Sequence, residues 1–229
     1  MLTKKLIVSI TARTKGEWQN KLKEVNKYKI KEICLFLESL TPREREGLLD
    51  SLRKSSVKRI PLVHIRDDTT KKEISFLIKH FQSGYFTIHE NHFHILKRWR
   101  GYYKKLYLET NTDDRLAKYV DVEEIGGFCI DLAHFKKEVT KQTKEYRYIV
   151  EEMGKVKFAC NHLSGYSYGR NKDLHEVKSI RNFDYLKTLP HNLFGRVIAF
   201  EVFNQIKEQL KYQKHLKKLL KRSLGLKII

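Results

Sequence analysis

GFCIDLAH, residues 127–134, is an apolar run that stops at a carboxylate, Asp131, and is followed three residues later by an imidazole, His134. Three other stretches end in the same way. LYLET (106–110) stops at Glu109, FACNHLSGY (158–166) carries His162 and is trailed by Asp173 and His175, and VIAFEV (197–202) stops at Glu201. Strand ends this far apart in sequence meet only where a fold gathers them at one rim, as a parallel β/α barrel does at the C-terminal ends of its strands.

Alternate residues of a strand share a face. On that rule Gly127 and Cys129 lie on the face of Asp131, Phe158 and Cys160 on that of His162, and Val197 and Ala199 on that of Glu201. The larger Phe128, Ile130, Ile198 and Phe200 then point outward to covering helices, leaving a packed lumen with a functional mouth.

Strand-like and helix-like segments alternate from end to end. Strands are expected at Lys5–Ile10, Glu32–Glu38, Arg59–His64, Tyr85–His89, Lys105–Glu109, Gly127–Asp131, Lys157–His162 and Val197–Val202. Helices fall between them, for example Pro42–Lys54 behind the N-cap candidate Thr41, and Thr70–Phe81. Eight alternations fit an α/β fold of the (β/α)8 TIM-barrel type better than an open doubly wound sheet, with residues 1–229 as one domain. The start, MLTKKLIVSI, reads as the first strand, because its apolar stretch breaks at Ser9 and no small-residue cleavage pattern follows. Near the other end Ile206, Leu210, Leu216, Leu219 and Leu220 recur at near-helical spacing, so Gln205–Leu220 is expected to be the closing outer helix.

No apolar run approaches the roughly 20 residues that cross a bilayer, which excludes a helical membrane protein. Cys34, Cys129 and Cys160 each sit in an apolar run without CxxC spacing, as buried thiols of a reducing compartment do, and the cytoplasm is the expected location. Lysine and arginine number 47 against 27 aspartates and glutamates, a formal charge of +20. Such a field attracts polyanions, with nucleic acid as the natural candidate and a merely lysine-rich surface as the bland alternative.

Carboxylate oxygen and neutral imidazole suit Zn²⁺, Mn²⁺ or Fe²⁺. Carboxylates converging on one mouth repel by on the order of 3 kcal/mol per pair at about 5 Å and an effective dielectric near 20, a penalty that bound cations remove. Glu109, Asp131, His162 and Glu201 would form one shell, and His134, Asp173 and His175 a second. Two further strand ends, His64 in IPLVHIRDD (60–68) and His89 in YFTIHENH (85–92), would complete a third with Glu109; His92 and His94 compete with His89 for that place.

The ordered set resembles the endonuclease IV family of apurinic/apyrimidinic endonucleases, within the xylose-isomerase-like barrel superfamily. FCIDLAHF resembles the family's Asp-x-x-His strand segment, and NHLSGYSYGRNKDLHEV its His-Leu segment followed by a basic Asp-x-His element. PLVH, FTIH, LYLETNT and VIAFEV fall in the corresponding order, so the similarity covers roughly residues 59–204. The chain departs from the family at Ser164-Gly165, where Asn-Asp is usual, and at Glu176-Val177-Lys178-Ser179, which replaces a glycine-rich turn.

The resemblance implies up to three zinc ions, with Mn²⁺ or Mg²⁺ as substitutes, that activate water and cut DNA 5′ to an abasic sugar. It would assign His64, His89 and Glu109 to one ion, Glu109, Asp131, His162 and Glu201 to the second, and His134, Asp173 and His175 to the third. Glu109 and Glu201 would be the catalytic carboxylates that orient the attacking water. From their residue types, Tyr166 and Tyr168 with Arg170 and Lys172 would supply stacking and phosphate contacts at the mouth, with a cover over the barrel rim as the equal alternative for the two tyrosines. Abasic duplex is the expected partner, no membrane is involved, and a monomer is the default. Two other readings accompany this one: a divalent-metal isomerase or epimerase acting on a small, phosphorylated sugar through paired carboxylates, and a non-catalytic nucleic-acid-binding barrel.

Overall fold

The computed structural model describes residues 3–14 and 16–229; Met1 and Leu2 of the expected first-strand segment, and Lys15, lie outside the described residues. The chain runs β1 (Lys5–Ile7), β2 (Ser9–Ile10), α1 (Glu17–Lys27), β3 (Cys34–Phe36), α2 (Pro42–Arg53), β4 (Leu62–His64), α3 (Lys71–Phe81) and β5 (Tyr85–His89). A 3₁₀ segment (Glu90–Trp99), β6 (Leu106–Glu109), β7 (Phe128–Asp131), α4 (Leu132–Lys141), α5 (Lys144–Glu152) and β8 (Phe158–Leu163) follow. The hairpin β9 (Gly165–Ser167) and β10 (Lys172–Leu174), a 3₁₀ segment (Ile180–Thr188), β11 (Val197–Phe200) and α6 (Ile206–Leu224) complete it.

Parallel pairing passes through β1, β11, β8, β7, β6, β5, β4, β3 and β2 in that order. The two ends of this sheet are consecutive pieces of one strand interrupted at Val8, so the sheet curls back on itself as a β/α barrel. Lys5–Ile7 pair with Val197–Ala199, whereas Ser9 and Ile10 pair with Cys34 and Leu35. Where the strand changes partner, the buried Gln209 of α6 takes over: its Oε1 accepts from Ser9 N at 2.8 Å and its Nε2 donates to the Ser9 carbonyl at 3.1 Å. An amide thereby supplies the backbone bonds that the ladder omits.

Local chemistry sets the element ends. Thr41 and Thr70 each open a helix through a reciprocal capping box, with Glu44 and Glu73 respectively. Pro61 has no N–H to give to a ladder, so the strand expected from Arg59 begins at Leu62. Helix α6 buries Ile206, Gln209, Tyr212, Leu216, Leu219, Leu220 and Leu224, the closing helix foreseen from its spacing. Among the described residues no helix is long and apolar enough to cross a membrane.

The lumen is filled by Ile7, Cys34, Phe36, Leu62, Tyr107, Cys129, Cys160, Val197 and Ala199, while a larger apolar layer lies between strands and helices. All three cysteines are free and buried. Phe158 breaks the expected alternation. The β7–β8 register jumps from Phe128↔Phe158 to Cys129↔Cys160, leaving Ala159 as an extra residue that turns Phe158 outward against Phe128, with ring centroids 5.4 Å apart. Gly127 permits the close approach beside this bulge: its φ is +119°, and a Cβ there would lie 2.2 Å from the Lys157 carbonyl oxygen.

One buried carboxyl sets a pH dependence. Glu138 of α4 is 1% exposed and neither carboxylate oxygen has a hydrogen-bond partner. Its neighbours Glu90 and Glu145 are also buried, but they accept backbone N–H groups of Asn111, Ala117 and Arg115 and so pin the segment after β6. Burial, reinforced by the charge of Glu145, pushes the Glu138 carboxyl up to about 9. A carboxyl raised in the folded state contributes stability that is complete below its unfolded value near 4 and is lost as pH rises toward 9. Glu138→Met is therefore expected to gain on the wild type by on the order of 4 kcal/mol between pH 5 and pH 8. Urea unfolding of variant and wild type at the two pH values checks this, and a gap that stays constant between them refutes it.

Candidate metal centre

The C-terminal ends of the strands bring the acidic and imidazole side chains into one mouth. Parallel pairing places His89 beside Glu109 and Asp131 beside His162, and neighbouring strands lie about 4.8 Å apart. Glu201 follows β11 directly, and Ala199 before it is paired with His162. Asp173 and His175 arrive differently, on the outgoing strand of the β9–β10 hairpin and the residue just after it, a hairpin absent from the strands read in the sequence.

Several side chains are oriented from behind. Asp131 caps α4: its Oδ1 accepts from Ala133 N and His134 N, both at 2.8 Å, which leaves Oδ2 buried without a partner. His134 is carried into place by the first turn of that helix. Thr87 Oγ1 holds His162 Nε2 at 3.2 Å, so that Nδ1 faces Glu109 Oε2 at 2.9 Å and Glu201 Oε2 at 3.3 Å. His175 donates from Nδ1 to the Glu201 carbonyl at 3.0 Å, which fixes its tautomer and turns Nε2 to Asp173 Oδ2, 3.1 Å away.

Candidate ligand atoms converge in four groups, within each of which they lie no more than 4.8 Å apart: three that overlap, namely Glu38, His64 and His89; His64, Glu109 and His162; and Glu109, Asp131, His162 and Glu201; and a separate one of His134, Asp173 and His175. All nine residues singled out in the sequence as ligands take part, although His64 and His89 meet Glu38 rather than forming a separate triad with Glu109. His92 packs near Trp99 and His94 turns back to the Asn91 carbonyl; among the described residues neither joins a group. Glu38 is the member that the sequence reading left out. The signal was present, because ICLFLE (33–38) is another apolar run ending at a carboxylate, with Cys34, Phe36 and Glu38 in period-two phase.

Burial and charge shape these groups. Burial lowers the His64 imidazole to about 4 despite the opposing pull of Glu38 and Glu109. Burial would raise Glu38, but His64 and His89 beside it outweigh that and hold it down at about 2. Burial opposes the charge on His89 and His175, yet the carboxylates of Glu38 and Asp173 hydrogen-bonded to them lift them to about 9 and about 10. Glu201 is raised by burial, with His162 opposing and Glu109 adding to the rise. His64 Nδ1 and Nε2, His89 Nδ1, Glu109 Oε2, Asp131 Oδ2, His134 Nδ1, His162 Nδ1 and Glu201 Oε2 are all buried without a hydrogen-bond partner. Orphaned polar atoms are costly to bury, and a divalent cation among oxygen and imidazole donors satisfies them together, so the residues present fit such ions.

The residues expected to meet nucleic acid divide. Tyr168 is exposed, with Lys136 Nζ 5.9 Å from its ring centre, and Arg170 and Lys172 are exposed too. Tyr166 is instead buried at 3% exposure: its ring packs against Tyr185 and its hydroxyl donates to Asn171 Oδ1, so it braces the hairpin and offers no surface for stacking. A cavity of about 170 Å³ adjoins the ligand groups and is bordered by Thr11, Phe36, Glu38, His175, Glu201 and Phe203.

No protein-family model matches the chain, and neither does any curated protein. Among solved structures, 99% of the chain aligns with 71% of phospho-2-dehydro-3-deoxyheptonate aldolase (DAHP synthase) from Thermotoga maritima at a TM-score of 0.46 and 12% identity. SacUVDE aligns over 97% of the chain and 100% of its own length, at a TM-score of 0.44 and 14% identity. Both likenesses are remote, and the functional reading rests on the chain's own residues.

Proposed function

We propose that this chain is a metal-dependent phosphodiester hydrolase of the endonuclease IV type that cuts DNA at apurinic/apyrimidinic sites, with zinc as the natural metal and up to three ions bound. One observation carries the reading: three of the ligand groups are linked through His64, Glu109 and His162, so ions bound there would be held close together by one buried carboxylate–imidazole cluster. Closely spaced ions supply Lewis acidity to a phosphate and an acidified water.

The chain's own residues would do the rest. Glu109, Asp131, His162 and Glu201 hold the inner ion, and Glu109 and Glu201 orient the water. His134, Asp173 and His175 hold a second ion, positioned by the hairpin from the outer edge of the mouth. Tyr168, Arg170 and Lys172 border that same hairpin and contact the phosphodiester backbone, in keeping with the chain's charge of +20. A sugar isomerase needs only the four-residue inner group, whereas the group on the hairpin has no part in proton transfer between vicinal carbons.

The test is incision of a duplex carrying a single abasic residue. Zinc-loaded protein is expected to cut once, 5′ to that residue, to lose the activity in chelator and to regain it on adding zinc. Absence of incision with zinc, manganese and magnesium alike, or ketose turnover in its place, overturns the reading.

A further inference from the structure

We propose that Glu38 is the carboxylate ligand of the outermost ion, completing a three-residue shell with His64 and His89, and that Glu109 serves this ion only from behind the His64 ring. The inference rests on the reading of the mouth as a multi-ion site, and it departs from the shell that the family resemblance implies.

The His64 ring separates two carboxylates. Its Nε2 lies 3.4 Å from Glu38 Oε1, while its Nδ1 lies 3.5 Å from Glu109 Oε2. One imidazole gives one ion a single nitrogen, so the carboxylate that shares an ion with Nε2 is Glu38. The same Glu38 Oε1 is 2.8 Å from His89 Nε2, and these three residues converge as a group that excludes Glu109. Behind the ring, Nδ1 faces Glu109 Oε2; with an ion on Nε2 it would carry the proton and turn it to that carboxylate, the arrangement that fixes a ring and raises its basicity toward a metal. Glu109 meanwhile lies 2.9 Å from His162 Nδ1 and belongs to the inner group. Three protein ligands leave a zinc ion a position for water or substrate, and Glu38 borders the same cavity as Glu201 and His175.

A second role for Glu38 is as a hydrogen-bond acceptor that only positions His89. Glutamine separates the two, because its carbonyl oxygen still accepts from His89 whereas its neutral amide is a poor metal ligand. Bound zinc per chain would be measured on full-length protein purified without chelator, followed by competition with a chromophoric chelator. The Co²⁺-substituted protein would add the ligand-field spectrum as a readout independent of activity. Wild type is expected to hold more than one equivalent, and Glu38→Gln to lose one or to bind it at least about 10-fold more weakly. His89→Ala should lose the same equivalent, and the double variant should lose no more. The Glu38 side chain is 42% exposed, so the substitution does not disturb the core. Unchanged stoichiometry, affinity and cobalt spectrum in Glu38→Gln overturn the assignment and leave the multi-ion reading intact. A wild type that binds no metal overturns the multi-ion reading itself.

Discussion

Glu109→Gln is expected to lower incision of an abasic duplex by at least about 10³-fold while changing DNA affinity by less than about threefold, the rate loss corresponding to roughly 4 kcal/mol of barrier. The size of the effect follows from where the carboxylate stands. Glu109 is 2% exposed, belongs to two ligand groups, and has its Oε2 within 3.5 Å of both His64 Nδ1 and His162 Nδ1. Glutamine keeps the volume and one oxygen but removes the negative charge and presents an N–H where a lone pair is needed. Loss of charge here would weaken the hold on an ion of the inner group and misorient the attacking water together, so the rate falls far more than binding. DNA affinity is spared because a side chain this deep does not contribute to the phosphate-binding surface. Single-turnover incision and fluorescence anisotropy, measured on the same preparation, separate the two quantities. Equal rates in variant and wild type remove Glu109 from the chemistry; a parallel collapse of rate and affinity makes it structural.

The barrel was legible because strand-like and helix-like segments alternate eight times, and each expected strand coincides with an observed one, the first being split at Val8 and β8 running on to Leu163. What escaped was local. The extra residue Ala159 reverses the phase of Phe158, and no pattern in KFACNH announces a bulge, since Phe158, Ala159 and Cys160 are all acceptable on either face. The β9–β10 hairpin was missed because YSYGRNK lacks sustained alternation, and its strands are only three residues each. That omission explains Tyr166: pairing opposite Asp173 sends both residues to one side of the ribbon, where the ring meets Tyr185 in the interior. The mouth was legible for a different reason. A carboxylate or imidazole at the end of an apolar run contradicts its neighbours, and that conflict marks a functional position more clearly than polarity does in a loop. Glu38 carries the same conflict, but no carboxylate or imidazole follows it within three residues as His134 follows Asp131.

DNA binding is expected to weaken by about 10³-fold or more as monovalent salt rises from 50 to 200 mM, if six or more phosphates are neutralised. Each lysine or arginine that pairs with a phosphate releases condensed counterions, and the logarithm of affinity falls with slope about −0.9 per contact on duplex DNA. An excess of 20 positive charges is more than enough to supply six contacts, but only those gathered on one face can do so at once. On the proposed function that face is the mouth, where Arg170 and Lys172 are exposed on the hairpin and Lys136 lies beside Tyr168. Charge reversal therefore locates the contacts as well as counting them. Arg170→Glu and Lys172→Glu should each reduce the slope by about 1 and weaken abasic and intact duplex alike, because phosphate contacts carry no base information. Anisotropy titrations at four salt concentrations give the slopes directly. A weakening of less than about 10-fold over that range would mean that fewer than about two phosphates are engaged, and it would remove duplex DNA as the natural partner. A steep slope that neither variant alters would keep DNA as the partner but move its binding face away from the hairpin. Turnover at saturating DNA should change little with salt in either case, since the ligand groups are buried and screened from bulk ions far less than the surface lysines are.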